Sequence, residues 1–209
     1  MRTRIKFCGL TRPGDVRLAG ELGVDALGFV FAAQSPRRLL PAQAAALREA
    51  VPMLASVVAL FMDNPRAEVE AAIRALQPHC LQFHGSESPA FCASFGVPYI
   101  RTIAMAQPVP AIRAAIDVHS EAAAFLLDGH APGESGGQGA SFDWSAVPAI
   151  DRPCWLAGGL RPDNVGEAIR VARPFAVDVS SGIESAPGHK DGRKMQQFIE
   201  EVRRADASR

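Results

Sequence analysis

Short apolar runs recur along the chain at fairly even intervals: "RIKFCG" (4–9), "ALGFVF" (26–31), "SVVALF" (56–61), "CLQFH" (80–84), "YIRTIA" (99–104), "FLLD" (125–128), "CWLAG" (154–158) and "FAVDVS" (175–180). Most are continuously apolar rather than alternating, the signature of strands covered on both faces in a parallel sheet. The segments between them read as helices over 13–23, 41–51, 65–77, 109–120, 161–172 and 191–205. Several open with Pro near the first turn, and Asp63, Asn64, Ser88 and Asp163 supply start signals. In "RAEVEAAIRALQ", Val69, Ala72, Ile73 and Leu76 fall at i, i+3, i+4 and i+7, one apolar stripe to lay on a sheet.

Alternation of strand and helix with no linker or composition shift predicts an α/β fold, a single (β/α)8 TIM barrel with eight parallel strands spanning 1–209. An open doubly wound sheet is the alternative, although it more often has fewer strands. In a barrel the active site lies at the C-terminal ends of the strands. The polar residues there are expected to converge on one pocket: Cys8, Gly9 and Thr11; Gln34, Ser35, Arg37 and Arg38; Asp63 and Asn64; Gln82 and His84; Asp128; Gly158 and Gly159; and Asp178, Ser180, Ser181 and Gly182.

Charge narrows the partners. Lys plus Arg and Asp plus Glu are each 22, so no net field draws in nucleic acid or an anionic membrane, and a small anion is the more natural ligand. No apolar stretch reaches the ~18–20 residues of a membrane span, and the N-terminal run is too short for a signal peptide, so a cytoplasmic protein is expected. The cysteines Cys8, Cys80, Cys92 and Cys154 lack C-x-x-C or Cys/His spacing and are expected to be free thiols. His79, His119, His130 and His189 suggest no metal constellation, and no metal or cofactor is expected.

Glycines in "LAGGL" and hydroxyls in "VDVSSGIE", after the seventh and eighth strands, fit the recurrent phosphate site of this fold; a pair of tight turns is the plain alternative. The sixth strand ends in "LLDGHAPGESGGQGASFDW", an aspartate at the root of a Gly-rich loop of lid-like length. Asp128 there is a general acid, or it caps a turn or pairs with a Lys or Arg. Cys8 is either an ordinary buried cysteine or a thiol made reactive by a nearby cation, and Lys6 shares its side of the strand by alternation. One of Arg37 and Arg38 suits bidentate capture of a carboxylate, and His84 is a base, a donor or a polar group of the pocket wall. Proton transfer or isomerisation of a phosphorylated small molecule follows as the reaction class.

Taken together, "KFCGLT", "DALGFVF", "SPR", "LQFHG", "LLDGHAPGESGGQGASFDW", "LAGGLRPDNV", "FAVDVSSGIE" and "PGHKD" resemble the phosphoribosylanthranilate isomerase family of tryptophan biosynthesis, in order and spacing, from residue 4 to about 194. The resemblance implies a cofactor-free Amadori rearrangement of an aminoaldose, N-(5-phosphoribosyl)anthranilate, to the aminoketose 1-(2-carboxyphenylamino)-1-deoxyribulose 5-phosphate, by a monomer or homodimer. It implies that Asp128 protonates the ribose ring oxygen and Cys8 removes the C2' proton. It also implies that Arg37 holds the anthranilate carboxylate and that phosphate sits on Gly158, Gly159, Ser180, Ser181 and Gly182, with Gly136 and Gly137 of the lid contributing. Asp178 falls in the motif without an assigned role. Phe7 and Phe83 stand where smaller aliphatics are common, a change expected to touch packing only.

Two other sugar-phosphate barrels fit less well. The histidine-pathway aminoaldose isomerase is expected to end its first strand in aspartate, and indole-glycerol-phosphate synthase to show lysine and glutamate at its strand ends. A catalytically silent phosphate-binding barrel would be expected to lose Cys8 or Asp128, and both are present.

Overall fold

Eight parallel strands close on themselves in chain order: β1 (Arg4–Phe7), β2 (Ala26–Val30), β3 (Ser56–Phe61), β4 (Cys80–Phe83), β5 (Tyr99–Ala104), β6 (Ala124–Asp128), β7 (Cys154–Leu156) and β8 (Ala176–Val179). β8 pairs with β1, with Lys6 opposite Asp178. The computed structural model describes residues 2–134 and 141–208. The lid glycines Gly136 and Gly137 therefore lie outside the described residues. The barrel, rather than the open sheet, is the fold.

Seven α-helices follow the strands among the described residues: α1 (Pro13–Glu21), α2 (Pro41–Arg48), α3 (Arg66–Leu76), α4 (Pro89–Ala93), α5 (Val109–Val118), α6 (Val165–Ala172) and α7 (Gly192–Ala207). Pro occupies the first turn of α1, α2, α4 and α5, where its missing N–H costs nothing. The stripe in α3 behaves as its spacing demands, burying Val69, Ala72 and Leu76. No helix among the described residues is long and apolar enough to cross a membrane.

Two departures from the pattern have local causes. α4 was not expected from periodicity; Ser88, whose Oγ accepts the Phe91 N–H at 3.2 Å, starts it. The helix expected from 161 begins at Val165, because Asn164 folds 161–164 into a turn. Its Oδ1 accepts the Arg161 N–H at 2.7 Å and its Nδ2 donates to the Gly159 carbonyl at 2.9 Å. Among the described residues the β6–β7 connection, expected as a long loop, holds a single 3-10 turn, Trp144–Ala146. A small antiparallel hairpin, β9 (Glu184–Ala186) with β10 (His189–Lys190), follows β8 and has no sequence pattern to announce it.

The main core lies between barrel and helices, where every second strand residue points outward. Phe7 meets Phe198 of α7 at 6.1 Å between ring centroids. Phe83 touches Phe61, Phe91, Phe95 and Tyr99 at about 6 Å, mostly in edge or offset geometry. The two large aromatics thus fill core space. Inside the barrel an apolar cluster is built by Ala26, Val58, Ile100, Ala124, Leu126 and Ala157, the last of which reaches the mouth cavity. A polar layer of Lys6, Gln82, Thr102 and Asp178 lies toward the C-terminal mouth.

Candidate active site

A cavity of about 660 Å³ opens at the C-terminal mouth. Its wall includes Cys8, Gln34, Ser35, Arg37, Asp63, Gln82, His84, Asp128, Gly158, Gly159, Asp178, Ser180 and Ser181, so most of the strand-end residues converge as expected. Gly182 is not part of that wall. It is a packing glycine, since a Cβ there would lie 1.9 Å from the Leu160 carbonyl oxygen. Arg38 is also outside, exposed and 3.8 Å from Glu68. Gly158 and Gly159 have successive φ of 80° and 63°, a backbone path that side chains rarely take.

Cys8 sits at the end of β1 and is 5% exposed. Burial pushes its thiol pKa up, Lys6 and Lys190 pull it back, and Asp178 adds to the rise. Burial lifts the other three cysteines, Cys80, Cys92 and Cys154, to about 12, although Lys6 pulls Cys80 and Arg101 pulls Cys92 the other way. All four are free thiols.

Alternation along β1 points Lys6 into the barrel beside Cys8. Its ammonium is fully buried and donates to Asp178 Oδ2 and to Gln82 Oε1, both at 2.9 Å. Desolvation opposes its charge, but Asp178 and Cys8 outweigh that and hold its pKa above the ordinary lysine value. Asp178 thus has a structural partner, while its Oδ1 is buried without a hydrogen bond at the cavity wall. Breaking a buried pair leaves a stranded charge, so Lys6→Met is expected to lower unfolding stability by about 3–5 kcal/mol in urea titrations. Combining it with Asp178→Asn should restore part of the loss.

A second buried charge group was invisible as such in the sequence. Arg37 Nε and Nη2 donate to the two carboxylate oxygens of Glu184 at 2.7 and 2.6 Å, and Lys190 Nζ donates to Glu184 Oε1 at 2.8 Å. Burial works against the Glu184 charge, but the two cations prevail and hold its carboxyl below the usual range. The Arg37 stem crosses Gly9, which has φ +72° and where a Cβ would lie 2.3 Å from Arg37 Cδ. Lys190 also reaches the Ser180 carbonyl at 3.0 Å. Glu184 and Lys190 were present in the quoted "FAVDVSSGIE" and "PGHKD"; an acid and a base six positions apart were the available signal.

Asp128 ends β6 and is 6% exposed. His130 Nδ1 lies 3.4 Å from its Oδ1, and the His130 ring stacks on His84 with centroids 4.5 Å apart. Burial drives His84 down to about 4, so its imidazole is neutral at ordinary pH. Sequence spacing placed His130 in no constellation, whereas the fold brings it, Asp128 and His84 together.

A closed parallel barrel with a thiol, a carboxyl and a glycine–serine cradle around one mouth cavity has the build of a barrel enzyme for small anionic substrates. Comparison with known proteins is specific. The family described as N-(5'-phosphoribosyl)anthranilate (PRA) isomerase matches residues 5–201, and the chain belongs to it. It is 54% identical over 209 residues to the N-(5'-phosphoribosyl)anthranilate isomerase of Stenotrophomonas maltophilia, covering 99% of this chain and 96% of that one. The namesake from Xanthomonas campestris is 54% identical over 211 residues, with 98% and 95% covered. Among solved structures, phosphoribosyl anthranilate isomerase from Thermotoga maritima superposes with a TM-score of 0.87 at 34% identity, covering 96% and 98%. A phosphoribosyl anthranilate isomerase in complex with reduced 1-(o-carboxyphenylamino)-1-deoxyribulose 5-phosphate gives 0.84 at 32% identity, also covering 96% and 98%.

Proposed function

We propose that the protein isomerises N-(5'-phosphoribosyl)anthranilate to 1-(2-carboxyphenylamino)-1-deoxyribulose 5-phosphate in tryptophan biosynthesis, as a cytoplasmic monomer or homodimer. The observation that carries this reading is that Cys8 and Asp128, far apart in sequence, are both buried on the wall of the same cavity as Arg37, Gly158, Gly159, Ser180 and Ser181.

Asp128 donates its proton to the ribose ring oxygen as the C1'–O bond breaks, giving a Schiff base between C1' and the anthranilate nitrogen. Cys8 as thiolate takes the C2' proton, and the C2'–H electron pair forms the C1'=C2' bond of an enolamine while the nitrogen regains its lone pair. Protonation at C1' and loss of the O2' proton complete the ketone, so the rearrangement is redox-neutral and needs no external oxidant. Lys6 and Lys190 favour the thiolate against the cost of burial.

Phosphate is held by backbone N–H groups around Gly158, Gly159, Ser180 and Ser181, and Arg37 meets the carboxylate through Nη1, the edge that Glu184 leaves. Asp178 Oδ1, unpartnered at the wall, accepts from a substrate hydroxyl. Anchoring both ends sets the reacting carbons against the acid and base. If Glu184 presents Arg37 in this way, Glu184→Gln raises KM by roughly tenfold, the loss of about 1.4 kcal/mol of binding, with kcat little changed.

Purified protein given phosphoribosylanthranilate, without added metal or nucleotide, should abolish the substrate's anthranilate fluorescence at an enzyme-dependent rate. Folded protein that leaves the signal untouched defeats the reading.

A further inference from the structure

We propose that His84, Asp128 and His130 form a binding site for a borderline transition-metal cation, Zn2+ in the first place, at the mouth of the barrel. Each residue offers one ligand atom, and the three atoms lie within 4.8 Å of one another. Two imidazole nitrogens and one carboxylate oxygen, with a position left for water, make the three-ligand set that suits zinc. Magnesium and calcium require mostly oxygen ligands and fit this set poorly.

A second observation points to a ligand. Both ring nitrogens of His84 and Nδ1 of His130 are buried with no hydrogen-bond partner, although a buried imidazole ordinarily has one. The surrounding charge permits a cation. Lys6 is paired with Asp178 at 2.9 Å and Arg101 with Glu87 at 3.0 Å, so neither of these neighbouring cations is left without a counter-charge.

The adjustment needed is small and local. Tetrahedral zinc with bonds of about 2.0–2.1 Å sets its ligand atoms roughly 3.3 Å apart. The His130 Nδ1 to Asp128 Oδ1 separation is already 3.4 Å. The two rings, stacked 25° from parallel, must open so that both nitrogens face one ion. His130 lies just beyond β6 and is buried, with its carbonyl accepting the Ala106 N–H at 3.3 Å, so the opening has to come from rotation of the side chain.

A cation here holds Asp128 as carboxylate and blocks the cavity. Inhibition, though not binding, rests on the isomerase reading.

Co2+ titrated into the whole protein is expected to develop the visible ligand-field band of a four-coordinate site, and Zn2+ to abolish it. His130→Ala, which leaves the proposed acid and base in place, should bind Co2+ at least about tenfold more weakly, since even the loss of an outer-shell partner costs that much. Zn2+ should inhibit turnover of the wild type in competition with substrate and reversibly on chelation, and His130→Ala should resist it. A wild type that shows the band yet isomerises nothing supports the metal site and defeats the reaction. Absence of the band, or unchanged Co2+ affinity in His130→Ala, overturns the site.

Discussion

Replacing Asp128 with asparagine is expected to lower kcat by about 10²–10⁴, the usual contribution of a positioned acid–base group. The amide keeps the size of the carboxyl, and the backbone contact that seats the end of β6, Met105 N–H to the Asp128 carbonyl at 2.8 Å, does not involve the side chain. The variant should therefore fold with a melting temperature within a few degrees of the wild type. What it loses is a proton that can be given to the ribose ring oxygen. kcat and kcat/KM should fall together, because the interaction is made only as the ring opens. Steady-state assays by anthranilate fluorescence, with a thermal melt on the same preparation, decide it; near-wild-type kcat would remove Asp128 from the acid role.

Cys8→Ser is expected to cost a comparable ~10²–10⁴ in kcat, for the opposite reason. The hydroxyl fits the space of the thiol but does not ionise at any pH the fold tolerates, so the base disappears while the cavity survives. Burial places the wild-type thiol above its ordinary pKa, with Lys6 and Lys190 limiting the rise. A base acts only when deprotonated, so the wild-type kcat/KM should climb with pH toward that alkaline ionisation. The serine variant should lack the climb. A serine variant that retains both the rate and the limb would make Cys8 a packing residue.

The two residues were legible in the sequence for different reasons. Cys8 could be nominated because a continuous apolar run delivers it at a strand end, with Lys6 two positions earlier on the same side. Asp128 could be nominated because it stands between a strand and a long Gly-rich loop. Their neighbours could not. Lys6 pairs with Asp178 because barrel closure sets β8 against β1, and no local pattern records that contact. Arg37 could be read as a carboxylate-binding arginine, but its bond to Glu184 depends on a hairpin of three- and two-residue strands, too short to show a period. His130 and His84 follow different strands, β6 and β4, so no ligand spacing along the sequence joins them.

By itself the sequence determined the order and type of the main elements, the barrel, the family and the residues that reach the strand ends. Those properties are written in spacings of two to four residues and in contiguous motifs, where a few neighbouring side chains decide the local structure. Only the tertiary structure decided the partners: Lys6 with Asp178, Arg37 with Glu184 and Lys190, and His84 stacked on His130 beside Asp128. It also set Gly182 against Leu160, where a Cβ would lie 1.9 Å from the carbonyl oxygen. Buried charges must find opposite charges wherever closure of the barrel brings them, and that placement is set by the register of all eight strands at once rather than by any one of them.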